Sequence, residues 1–207
     1  MSNGGSALRW EESRLTGFPR EVVQPLLKAE GDPDQLRIAV GRAVQEFGFE
    51  RFFFNRRSRW RGGLGVRWCP WGELPPGWYE RHEEKKYARV EPIRRTTYSR
   101  GLPLVWDEAT FPQRGPVREY LADAGEFGIG SGVCLMLETA HRGYVDFFSA
   151  FSPARRLGPA RRREIVQRLP DLWMVAVCAY ALLPAQLLAV RPQRATRPPL
   201  LRWCTQR

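Results

Sequence analysis

The feature that most constrains the fold is a pair of apolar runs, Gly132–Glu138 and Tyr144–Phe151, separated only by Thr139-Ala140-His141-Arg142-Gly143. Two strand-forming segments joined by five residues that end in glycine read as a hairpin, and a hairpin is antiparallel. Neighbouring strands of a doubly wound parallel sheet need a crossover of a dozen residues or more, which this spacing does not provide. Further back, Phe49–Asn55 and Leu64–Cys69, with Gly62-Gly63 between them, read as a second such unit, and Leu102–Trp106 is extended.

Helical periodicity fills the intervals. Asp32-Pro33 sets an N-cap followed by proline at the first helical position, and Leu36, Ala39, Val40, Ala43, Val44 and Phe47 recur on one face until Gly48. An earlier helix is expected near Pro19–Glu30. After Pro75-Pro76-Gly77 a charged helix is predicted over Trp78–Val90, and Glu91-Pro92 starts another that reaches about Arg100. Pro116–Phe127 forms a helix stopped by Gly128. Leu157–Leu169 and Asp171 to about Val190 close the series. Helices before, between and after the strand units can cover both faces of one sheet. The fold class predicted is α/β, an α/β/α sandwich with a central antiparallel sheet.

Composition removes several functions. The chain has 33 basic and 22 acidic residues, a formal net charge of +11, but lysine occurs only at Lys28, Lys85 and Lys86. A skew of this kind fits a compositional bias as well as it fits a binding surface, and the arginines are scattered. Arg155, Arg156, Arg161, Arg162 and Arg163 do cluster, and read as a solvated helix start rather than a phosphate site. Cys69, Cys134, Cys178 and Cys204 lie far apart without C-x-x-C spacing, so no metal or redox centre is expected and a reducing cytosol is. The N-terminal MSNGGSALRWEESR has no apolar h-region. Leu172–Val190 is free of formal charge but holds Pro184 and Gln186; a buried or subunit-facing helix explains it better than a membrane span.

Catalysis is not expected either. Only His82 and His141 are available for acid–base work at neutral pH, His141 sits in a turn, and no G-x-S-x-G or H-E-x-x-H occurs. Gly125-Glu126-Phe127-Gly128-Ile129-Gly130 follows a helix and lacks the spacing of a dinucleotide loop.

What stands out instead is a spaced set: Trp78, His82 four residues on, Glu91-Pro92 nine further, Trp106, and then Phe127-Gly128-Ile129-Gly130-Ser131-Gly132. This set resembles the autoinducer-binding domain of LuxR-type quorum-sensing regulators, whose pattern is a tryptophan, a tyrosine, an Asp-Pro pair, a second tryptophan and a D-F-G-x-x-S-G segment. Trp78, Pro92, Trp106 and Gly132 agree in identity, the flanking Tyr87-Ala-Arg-Val-Glu-Pro-Ile and Leu102-Pro-Leu-Val-Trp agree in character, and the likeness extends from about Gly31 to Leu188. Taken singly, Trp78 and Trp106 read as core aromatics, and Glu91 as a helix start.

The resemblance implies a buried N-acyl or aroyl homoserine lactone and no cofactor. Trp78 would donate its indole N–H to the ring carbonyl, Glu91 would accept from the amide, and Trp106 would pack the ring. Ser149 would reach the acyl carbonyl, while Tyr120, Leu121, Ala124, Ile129 and Val133 would line the tail. His82 replaces the family's tyrosine and Glu91 its aspartate. The two changes leave three outcomes open: a different acyl group, loss of lactone binding, or pairing of His82 with Glu91 in an empty or non-lactone pocket.

The resemblance also implies a sensor domain over 15–190, with Arg191-Pro-Gln-Arg-Ala-Thr-Arg-Pro-Pro as linker and 200–207 as a stub of a helix-turn-helix DNA-binding module. A homodimer, or a heterodimer with a full-length relative in a DNA-binding-deficient antagonist, would use the Asp171–Val190 helix. DNA would be reached only through the module not present here.

Overall fold

The computed structural model describes residues 20–60, 63–64, 70–137 and 144–184. Seven helices and six strands alternate among them: α1 (Arg20–Lys28), α2 (Pro33–Glu46), β1 (Arg51–Trp60), β2 (Gly63–Leu64), β3 (Pro70–Gly72), α3 (Trp78–Glu84), α4 (Pro92–Arg100), β4 (Leu104–Asp107), α5 (Gly115–Glu126), β5 (Ser131–Leu137), β6 (Tyr144–Ser152), α6 (Pro159–Gln167) and α7 (Leu169–Leu182). The sheet runs β2-β1-β6-β5-β4, with β3 also on β1, and its pairings are antiparallel.

The β5–β6 pair is the one the sequence led with, in register from Ser131↔Ser152 to Leu137↔Asp146; its connecting turn, with His141, lies outside the described residues. β1 and β2 also form the expected antiparallel pair, Arg59↔Leu64 and Trp60↔Gly63, although β1 is longer than predicted and most of the expected Leu64–Cys69 strand lies outside the described residues. The β1–β6 ladder, Arg51↔Phe151 to Ser58↔Tyr144, joins segments some ninety residues apart and makes the two units one sheet.

Strand alternation divides the interior in two. Phe52, Phe54, Val133, Leu135, Phe148 and Ala150 pack with α1, α2, α6 and α7. Phe53, Leu104, Trp106, Cys134, Val145, Phe147 and Phe151 face α3, α4 and α5. Both faces are covered, which is why β5 and β6 read as nearly continuous apolar runs. On the first face the buried Arg56–Asp146 pair, Nε to Oδ1 at 2.8 Å, is extended to the Tyr180 hydroxyl of α7. The layers are those of the predicted α/β/α sandwich.

Local signals explain the element ends. The Asp32 side chain accepts from the Asp34 and Gln35 N–H groups at 3.0 and 3.1 Å, a cap worth about 1 kcal/mol. The helix predicted over Trp78–Val90 is broken: α3 stops at Glu84, Lys86 adopts a left-handed conformation, and a 3-10 turn follows over Tyr87–Arg89. At 3.6 residues per turn Tyr87 would stand about 180° from Trp78 on an unbroken helix. The break turns it inward, where it is 2% exposed. α7 starts before Asp171 and ends at Leu182, because Pro184 forces the preceding Leu183 into extended backbone; residues 185–190 of the expected helix lie outside the described residues. Among the described residues no single helix is long and apolar enough to cross a membrane; α6 and α7 pass that test only as a pair, bent by 54°.

Candidate ligand site

The second face carries the sequence-predicted residues. α3 presents Trp78 and His82 from one side, as their spacing of four requires, and both are buried, at 2% and 0% exposure. Trp78 centres an aromatic group, with ring centroids 5.7 Å from His82, 6.1 Å from Tyr87, 5.9 Å from Tyr120 and 5.4 Å from Phe127. Phe127 is brought there from the end of α5, and Gly77 lets its ring approach the start of α3 at 3.3 Å from where a Cβ would stand.

Glu91 is the N-cap of α4, but its carboxylate makes no capping bond. It turns into the interior instead. Arg94, one turn along α4, donates to its Oε2 through Nη2, and His82 Nε2 lies 3.4 Å from the same oxygen. Whether that contact is N–H to O depends on the histidine tautomer. Glu91 is 4% and Arg94 3% exposed, so this is a buried ion pair with a histidine on its flank. The Arg94 guanidinium also lies 5.7 Å from the centre of the Phe53 ring on β1. Trp78 and Glu91 therefore meet through His82, and Arg94 joins His82 on the Glu91 carboxylate.

Around this cluster the sheet supplies weaker polar groups. Ser149 on β6 donates towards the Cys134 sulfur at 3.6 Å, and both sit on the site face in register. Thr97 on α4 is buried and donates to the Ile93 carbonyl. Burial pushes the Cys134 thiol pKa up, and burial, then the neighbouring charge of Glu91, raises the Tyr120 phenol well above its usual value. Tyr120 is therefore a neutral hydroxyl here. Burial also raises the Tyr87 phenol, with the Asp123 carboxylate adding to it; that hydroxyl donates to Asp123 Oδ2 at 2.8 Å and fastens the turn after α3 to α5.

Trp106 faces the same interior from β4 at 2% exposure, and its Nε1–H has no acceptor. Leu121, Ala124 and Ile129 join Tyr120 in this core, and Pro92 sits half-buried at the first position of α4. Val133 does not belong with them. It points through the sheet to the opposite face, among the α1, α2 and α7 residues, because alternation on β5 gives the site face to Cys134.

Three contributors were missed from sequence. Arg94 was signalled by its i, i+3 spacing from Glu91. Asn55 was signalled only by its place two residues after Phe53 on β1, directly after the Phe52-Phe53-Phe54 run. Cys134 was noted only as a thiol. The clustered arginines, in turn, are tethers: Arg156 pairs with Glu108 at 2.9 Å, and Arg162 holds both the Val105 carbonyl and Asp107.

The model of the autoinducer-binding domain matches residues 32–182 of this chain. The chain belongs to that family. Comparison with the curated proteins gives no match. Among solved structures, the domain is similar to CepR2 of Burkholderia cenocepacia, described as an N-acylhomoserine lactone dependent LuxR family transcription factor. The two share 19% identity over 82% of this chain and 95% of that one, with a TM-score of 0.65. Escherichia coli SdiA matches at 16% identity over 83% of this chain and 70% of that one, TM-score 0.62. The ligand-binding domain of VqsR from Pseudomonas aeruginosa matches at 11% identity over 80% and 98%, TM-score 0.57. At these identities the likeness establishes the autoinducer-binding fold. The family is defined by binding a signal molecule rather than by catalysis.

Proposed function

We propose that this domain encloses an N-acyl or aroyl homoserine lactone between the sheet and α3, α4 and α5, with its polar head among Trp78, His82, Glu91 and Trp106. The observation that carries the reading is the convergence of Trp78 and the Glu91 carboxylate on His82 in a fully buried setting, in the same core as a Trp106 indole whose N–H has no acceptor. A ligand carbonyl would satisfy that N–H, and the Trp78 and Trp106 faces supply flat apolar walls for a ring. Glu91 would receive an amide N–H only by sharing its carboxylate with Arg94 and His82, so the head sits against an ion pair rather than a lone acid. One solved relative, SdiA, carries octanoyl-rac-glycerol, an acyl chain on a polar head that is not a lactone; that compound is the natural competitor in the test.

A ligand that binds the folded state at a hundredfold excess over its Kd stabilises it by about 2.7 kcal/mol, or roughly 5–11 °C for a domain of this size. A panel of acyl- and aroyl-homoserine lactones with octanoylglycerol alongside is expected to give such a shift for at least one lactone, and Trp78→Phe to reduce it. No lactone shift, or a shift with octanoylglycerol alone, refutes the lactone assignment. Val166 on α6 and Val177 on α7 are exposed apolar side chains and support pairing with a second copy through that layer. Val166→Glu/Val177→Glu is then expected to shift the species seen in sedimentation towards monomer.

A further inference from the structure

Asn55 is the residue that a plain hydrocarbon tail would leave stranded. It lies two positions from Phe53 on β1, on the same face and about 7 Å along the strand. Its register partner on β6 is Phe147, fully buried in the site core. Asn55 is 1% exposed, and neither its Oδ1 nor its Nδ2 has a hydrogen-bond partner. Native interiors seldom leave even one end of an amide unmatched. Here both ends are unmatched, and the amide stands in the wall of the site described above.

Its place in the sheet sets what it would meet. Trp106 is on β4 and Asn55 on β1, three strands away. The Arg94 guanidinium lies over Phe53, two residues along β1 from Asn55. With the ring of a ligand on Trp106, Asn55 is reached only by the acyl chain. A methylene leaves both amide ends unmatched, and a ketone satisfies Nδ2 alone. A hydroxyl satisfies both, donating to Oδ1 while accepting from Nδ2.

Resting on the lactone reading, we propose that Asn55 is a specificity-determining residue that selects a signal bearing a hydroxyl on its acyl chain. The test uses the full chain and titration calorimetry with N-decanoyl homoserine lactone and a series carrying one hydroxyl at successive chain carbons. One position of the hydroxyl is expected to bind about tenfold tighter than the plain chain. Asn55→Leu, close in volume, and Asn55→Ala, which adds no bulk, are both expected to erase the difference between the hydroxylated and the plain chain. Equal or tighter binding of the plain chain than of every hydroxylated one overturns the assignment of Asn55 alone, as does a preference that survives in both variants. Silence across the whole series overturns the lactone reading with it.

Discussion

Breaking the Glu91–Arg94 pair is the sharpest test of how the site is built. Both side chains are about 5% exposed or less, and Arg94 holds the Glu91 carboxylate directly. Removing one member leaves the other charged and buried, which costs about 3–5 kcal/mol where it has been measured. Arg94→Met keeps most of the apolar stem over Phe53 and removes the charge. Glu91→Gln keeps the shape and removes the counter-charge. Each single variant is expected to lower the ligand-free stability by about 3 kcal/mol or more, roughly 6–12 °C in Tm. The double variant leaves no uncompensated charge and is expected to fall short of the sum by about 2 kcal/mol or more. Urea denaturation of wild type, both singles and the double closes the cycle. If the two losses add to within about 0.5 kcal/mol, the residues do not act as a pair and the ionic floor of the site is misread.

Other outcomes follow from particular contacts. A Cβ on Gly132 would stand 2.2 Å from the Ala150 carbonyl oxygen, so Gly132→Ala must push β5 from β6 and is expected to cost about 1–3 kcal/mol in thermal denaturation. Burial raises the Asp107 carboxyl, but the Leu157 N–H, the Thr110 hydroxyl and Arg162 overcome that and hold its pKa below the usual aspartate value. Its contribution is therefore complete above about pH 4, the unfolded value, and is lost as pH falls through the lower folded one. Asp107→Asn should flatten the dependence of Tm on pH below about 4, and an unchanged slope would remove Asp107 from the account. Tyr87→Phe deletes the bond to Asp123 and is expected to cost about 1 kcal/mol, with faster amide exchange over 84–90 while β5 and β6 stay protected.

The sequence by itself determined the layers and much of the site. Period-two and period-3.6 apolar spacing reflects which face of an element must be buried, and that requirement is local, so the β5–β6 pair, α2 with its Asp32 cap and the shared face of Trp78 and His82 could be read directly. The spacing that carried the family resemblance is local in the same sense, since each residue is placed by its own element. Tertiary structure decided the rest. Val133 and Cys134 are both apolar neighbours on a strand buried on two sides, and only the packing of α4 and α5 against one of those faces assigns the site to Cys134. Glu91 before Pro92 has the sequence of a helix start, yet its side chain forgoes the cap because Arg94 and His82 offer stronger partners in a space that water does not reach. The β1–β6 ladder that brings Asn55 beside Phe147 joins segments about ninety residues apart, and no spacing along the chain encodes a pairing at that range.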